Sequence, residues 1–121
     1  MTKNLEPHTA GAVLDVDATL ARLGGDRRLF CDILGFFLED SPPLLQEVHA
    51  AARRSDANEI RSKAHALKGL AAGCGGVRAA QAAQRVEHAG ESGDLDEVES
   101  QLESLDAEVD LLQREARQWL D

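Results

Sequence analysis

The chain has 121 residues and a mass of 13.0 kDa, enough for one modest core and too short for a second independent domain. Its 43% hydrophobic and 29% charged residues exclude a disordered chain, and no apolar run approaches the ~20 residues that a membrane-spanning helix needs. Thirteen Lys and Arg against 22 Asp and Glu leave a net charge of −9, which argues against nucleic acid and anionic membrane surfaces as partners.

Residues 1–11 carry no periodicity and are expected to form a flexible tail ahead of a single domain over 12–121. Glu6, Pro7 and His8 stand where a secretory signal would be apolar, so the expectation is a soluble, cytoplasmic protein. Met1 and the short tail point to a freestanding chain rather than a module of a larger one. A short helix is expected over about Asp17 to Leu23, stopped by Gly24-Gly25, with Asp26 capping the next. In that second helix Leu29, Phe30, Ile33, Leu34, Phe37 and Leu38 recur at helical spacing and predict a broad buried stripe. Ser41-Pro42-Pro43 predicts a kink or a restart, with Ser41 as cap, before Leu44, Leu45, Val48 and Ala51 or Ala52 continue the buried face to about Arg54.

Asp56 with Glu59 predicts a capping box for a third helix that runs to about Cys74 and ends at Gly73, Gly75 and Gly76. A fourth runs from Val77 to about Ala89, with Ala79, Ala82, Ala83 and Val86 inward, and Gly90 to Gly93 is expected to form the turn. Asp94 and Glu97 open the last helix, where Leu95, Val98, Leu102, Leu105, Val109, Leu112, Ala116 and Trp119 follow in steps of three and four. Such a seam suits a coiled-coil dimer or one wall of a bundle. The other amphipathic helices favour the bundle, and a monomer is expected. The fold class is therefore all-α: an antiparallel four-helix bundle with a short extra N-terminal helix.

Cys31 and Cys74 lie far apart inside apolar patterns, which suits buried free thiols rather than a disulfide or half a zinc site. The charge is unevenly spread. Arg53 to Arg78 holds six bases and two acids, whereas Glu87 to Asp110 holds ten acids and no Lys or Arg.

Within the third helix Ile60, Ala64, Leu67, Ala71 and Cys74 share one side, and His65 is turned well away from it at about 100° per residue. Arg61, Lys68, Gly69 and Ala72 share the histidine's sector. A glycine inside a helix costs roughly 0.5–1 kcal/mol against alanine, so Gly69, opposite the packed seam, suggests that something must approach closely there. A neutral imidazole is a competent nucleophile at cellular pH, and Lys68 is placed to hold an anion beside it. These residue types suit phosphoryl transfer, which depends on positioning and on charge stabilisation at the transferring oxygens. His8, His49 and His88 lack such surroundings.

The run Ala64 to Gly76, AHALKGLAAGCGG, together with Gly75 ten residues after His65, Val86-Glu87 on the following helix and the Arg22-Leu23-Gly24-Gly25-Asp26 turn, resembles histidine-containing phosphotransfer (HPt) domains. The resemblance covers nearly the whole chain. It implies a phosphorelay intermediate in which His65 is the phosphoacceptor and Lys68 steadies the phosphoryl charge. Gly69 lets a partner close over the ring, with Arg61 and Ala72 on the docking surface beside apolar residues of the second helix. Glu87 matches a position that in some members orients the acceptor by bonding its other ring nitrogen. The implied partners are response-regulator receiver domains and a hybrid sensor histidine kinase. Any divalent metal, Mg²⁺ by expectation, belongs to the receiver, and this chain needs no cofactor. Gly73, Cys74 and Leu70 depart from the usual pattern and bear on partner choice more than on chemistry.

Neither a glycine-rich phosphate loop nor a nucleotide-binding segment is present, so the chain is expected to be a phosphocarrier rather than a kinase. Two other readings are a docking adaptor that is never phosphorylated and a metal-binding bundle built on His49, His65 and His88. The second lacks the paired Glu-x-x-His motifs of di-iron bundles.

Overall fold

The computed structural model describes residues 11–120, and all of its regular elements are helices. They are α1 (Val16–Arg22), α2 (Arg27–Arg53), α3 (Ala57–Gly73), α4 (Val77–Ser92) and α5 (Leu95–Leu120). Four aspartates start four of them: the carboxylates of Asp15, Asp26, Asp56 and Asp94 accept from the backbone N–H groups of Ala18, Leu29, Glu59 and Glu97. Each satisfies a donor that the first helical turn cannot pair internally, a contribution of about 1 kcal/mol. The expected tail lies outside the described residues, apart from Gly11, whose carbonyl accepts from Arg78 at 3.3 Å.

Short connections force successive long helices to run antiparallel. α2 packs on α3, α3 on α4, α4 on α5, and α5 closes the ring on α2. The core inside this ring holds Phe30, Leu34, Phe37, Val48, Ile60, Leu67, Val86, Leu105, Val109 and Leu112, with almost no exposure. Each such side chain contributes about 1.5–3 kcal/mol by leaving water. Phe30 meets Trp119 edge-on at 5.2 Å and Arg27 lies over the indole at 5.5 Å, which seats the end of α5 against the start of α2. The bundle with its extra N-terminal helix is the predicted architecture.

Four expectations need correction. α2 neither stops nor restarts at Ser41-Pro42-Pro43 but runs unbroken through both prolines. Pro42 and Pro43 are exposed, so the carbonyls they leave unpaired, those of Leu38 and Glu39, belong to the solvent side. Ser41 is not a cap. It is fully buried, and its hydroxyl accepts from Gln113 of α5 at 2.9 Å. Gly90 is not part of the turn, because α4 continues to Ser92 and Gly93 alone makes the left-handed exit at φ 76°. Gly90 is a contact residue: a Cβ there would come within 2.9 Å of the Ile60 side chain, so its absence lets α4 press close to α3. Leu29 and Leu95, expected inside, are each 40% exposed.

α1 is fastened to the α3–α4 turn. The Asp15 N–H donates to the Gly75 carbonyl at 2.9 Å, and the Thr19 hydroxyl, itself bonded to the Asp15 carbonyl, fills the space a Gly75 side chain would need. Gly75 also has a φ of +92°. We therefore expect Gly75→Ala to destabilise the fold by roughly 1–3 kcal/mol, from the strained backbone and the clash together. Urea denaturation checks this, and an unchanged midpoint would remove the α1 anchor from the account.

Candidate functional site

α3 buries Ile60, Ala64, Leu67 and Ala71, the predicted seam, and so turns the residue after Ala64 outward. His65 stands in solvent with 64% of its side chain exposed. The face of α4 beside it is built of Ala79, Ala82, Ala83, Val86, Ala89 and Gly90, all buried. Because these residues are small, the two helices approach closely enough for a side chain at the edge of α4 to reach over α3. That side chain is Glu87.

Glu87 Oε2 lies 3.0 Å from His65 Nδ1, and Glu87 Oε1 lies 3.0 Å from Lys68 Nζ. The second contact is an ion pair without the alignment of a hydrogen bond. Only 12% of the Glu87 side chain is exposed. Burial pushes its carboxyl pKa up, but the Lys68 ammonium and the His65 ring outweigh burial and hold it below the ordinary carboxylate value. An ionised carboxylate accepts and cannot donate, so Nδ1 carries the ring proton and Nε2 keeps the free lone pair.

The structure thus brings His65, Lys68 and Glu87 into one chain of contacts. Lys68, expected to hold an anion beside the imidazole, is paired with Glu87 and is 28% exposed. Glu87 is no part of a solvated acidic face. A sequence signal for this exists, since its neighbours at −4 and +3, Ala83 and Gly90, are small and buried and mark an edge position. Gly69 and Ala72 are exposed on the same side of α3, and a Cβ on Gly69 would meet nothing within 4 Å. Arg61 is exposed one turn before His65 and makes no ion pair among the described residues.

The basic island is thinner than its sequence suggests. Lys63 pairs with Glu47 of α2 at 3.5 Å and Arg78 with Glu108 of α5 at 2.9 Å, so three of the six bases, Lys68 included, are neutralised locally. Cys74 is buried at the end of α3, its thiol bonded to the Ala71 carbonyl, and burial raises its pKa to about 11. It is an inert packing residue. Both cysteines are free. Among the described residues no group of three or more His, Cys, Asp or Glu side chains is arranged to hold a metal ion, and His49 instead bonds Asp106 at 2.7 Å. No described helix is long and apolar enough to cross a membrane.

His65 lies outside the openings of about 410 and 500 Å³, both of which sit between α2 and α5. A nucleophile on an open helix face is presented to a macromolecule rather than to a small ligand.

The sequence model described as Hpt domain matches residues 32–115, more than half of the chain and all of the α3–α4 site. The fold is similar to the crystal structure of histidine-containing phosphotransfer protein B (HptB) from Pseudomonas aeruginosa PAO1. The two share 28% identity and a TM-score of 0.80 over 89% of this chain and 94% of that one. No curated protein matches the chain. Sequence model and backbone agree, and the chain belongs to the Hpt domain family, whose members serve phosphotransfer in phosphorelays.

Proposed function

We propose that His65 carries the phosphoryl group in such a relay, taking it from the aspartyl phosphate of one receiver domain, including that of a hybrid sensor histidine kinase, and passing it to the aspartate of another. The observation that carries this reading is the pairing of a solvent-exposed imidazole with a largely buried, ionised carboxylate at Nδ1. Nε2 attacks the phosphorus with its lone pair, the N–P bond forms, and the bond from phosphorus to the aspartyl oxygen breaks, returning a carboxylate. The proton on Nδ1 stays where it is and the ring becomes cationic, with the Glu87 carboxylate 3.0 Å away to balance it. Transfer onward reverses these steps. Lys68, between Glu87 and solvent, swings to the phosphoryl oxygens as they arrive. We place the divalent ion, Mg²⁺, on the receiver, and this chain acts without a cofactor or nucleotide site of its own.

Docking uses the bare strip of α3. Gly69→Ala is expected to stabilise the isolated protein by about 0.5–1 kcal/mol, since the added methyl meets nothing and helix propensity improves. Gly69→Leu is expected to slow transfer from a receiver while the fold holds. Thermal melts and transfer kinetics check the pair, and unimpaired transfer in the leucine variant would remove the clearance role. The apolar part of the surface is Phe36, at 56% the most exposed large hydrophobic side chain described. Phe36 lies eleven residues, about three turns, before Glu47 on α2 and so shares the face that Glu47 turns toward Lys63 of α3.

Among the described residues, Arg61 is the unpaired cation one turn from His65, placed to steer an acidic receiver. Association is expected to weaken as ionic strength rises, and Arg61→Glu should flatten that slope. Binding measured across a salt series checks this, and a flat slope in the unaltered protein would remove the steering role. The decisive test of the reading is label transfer from a panel of phosphorylated receivers. Failure to take label from any of them would leave this chain a docking adaptor.

A further inference from the structure

The α2–α5 side of the bundle carries features that the phosphoryl site does not use. Two openings, of about 410 and 500 Å³, share His49 and Arg53 and so form one trench between these helices. Its α5 wall presents Asp96, Glu99, Glu103 and Asp106, three, four and three residues apart and therefore in a single row ~15 Å long. Ala52 and the half-exposed Leu95 give the trench apolar flooring.

The row is largely unneutralised. Asp106 bonds His49, but Asp96, Glu99 and Glu103 make no ion pair among the described residues, and neither does Arg53 on the facing wall. Asp96 lies in the first turn of α5, where the helix dipole favours an acid. Glu99, Glu103 and Asp106 lie beyond that turn and repel one another at spacings of three and four, which weakens the helix that carries them. Four carboxylates face one arginine, so the trench favours a cationic occupant. The apolar floor favours one with an apolar edge, and the straight row favours a helix.

We propose that this trench docks a Lys/Arg-rich amphipathic helix of a partner protein, laid along α5 with its basic residues at the matching three–four spacing. The α2–α5 side is opposite the α3–α4 side that carries His65, so the bound helix leaves the histidine free for a receiver. The proposal stands independently of phosphorylation at His65.

The test titrates the ¹⁵N-labelled full chain with a synthetic leucine–lysine amphipathic helical peptide and, in parallel, with the same peptide carrying glutamate at each lysine position. Amide shifts are expected along the trench and not around His65, with the lysine peptide only. A Glu99→Gln/Glu103→Gln variant should bind roughly tenfold more weakly, the loss of two exposed ion pairs, while melting at or above the temperature of the unaltered chain. Equal binding of the glutamate peptide, shifts scattered to acids elsewhere such as Glu91 and Asp110, absence of binding, or unchanged affinity in the variant would each overturn the proposal. Concentration-dependent shifts in the trench without peptide would assign it to a second copy of this chain and overturn it equally. Phosphoryl uptake by the variant reports on His65 separately.

Discussion

His65→Gln is expected to reduce phosphoryl uptake from a phosphorylated receiver domain to background while leaving the fold and receiver binding in place. The amide nitrogen of glutamine has its lone pair delocalised into the carbonyl and is no nucleophile, so the loss is of chemistry and not of rate alone. The glutamine amide stands about where Nε2 stands rather than Nδ1, so Glu87 loses its ring partner but keeps Lys68 at 3.0 Å, which holds the α3–α4 contact. Because the residue is 64% exposed, the change in stability should stay within about 0.5 kcal/mol. The measurement is uptake of acid-labile, base-stable label by both proteins, with denaturation and receiver binding as controls. Equal labelling of the variant, or label traced to His49 or His88, would remove His65 from the phosphoacceptor role.

The parts of this molecule that are legible in its sequence are those fixed by local chemistry. Asp26, Asp56 and Asp94 announce helix starts because a side chain three residues from a free N–H finds it whatever the tertiary fold. The seam of α3 is legible because helical periodicity alone turns His65 away from Ile60, Ala64 and Leu67. What fails depends on partners distant in sequence. Ser41-Pro42-Pro43 reads as a kink or a restart because the missing hydrogen bonds are local, yet Phe37 and Val48, on either side, are anchored in one core and Gln113 holds Ser41, so there is no restart and α2 continues as one helix. Gly90 reads as a turn because nothing local discloses that Ile60 occupies the space of its side chain. The basic island reads as a positive face because the sequence does not tell which carboxylates fold back upon it. Glu47, Glu87 and Glu108, 16, 19 and 30 residues from their partners, do so and leave Arg61 as the unpaired cation beside His65.

The second large effect is expected at Glu87, where one carboxylate serves two neighbours. Glu87→Ala releases Nδ1 and Lys68 together: the ring loses its fixed tautomer and orientation, and the cationic ring of the phosphorylated state loses its counter-charge. Removing a hydrogen-bonded partner that orients an imidazole slows its chemistry by on the order of ten- to a hundredfold, and phosphoryl uptake should fall by that factor. Glu87→Gln keeps an acceptor for Nδ1–H and loses only the charge, so it should fall between the two. Ring ¹⁵N shifts of His65 give a readout that loss of packing alone would not move: one tautomer in the unaltered protein, a mixture in the alanine variant. The pH dependence of stability separates charge from shape. Because the folded-state pKa of Glu87 is depressed, its contribution to stability is present above the unfolded carboxylate value and lost as pH falls through the lower folded value. The stability gap between the unaltered protein and Glu87→Gln should therefore be present above the ordinary carboxylate range and close as pH falls through the depressed folded value. A gap independent of pH across that range would mean that Glu87 acts through shape alone. Lys68→Ala completes the comparison: with its cation gone, Glu87 still holds Nδ1, so the tautomer should persist while transfer slows. A tautomer lost in Lys68→Ala would instead make the lysine the element that positions Glu87.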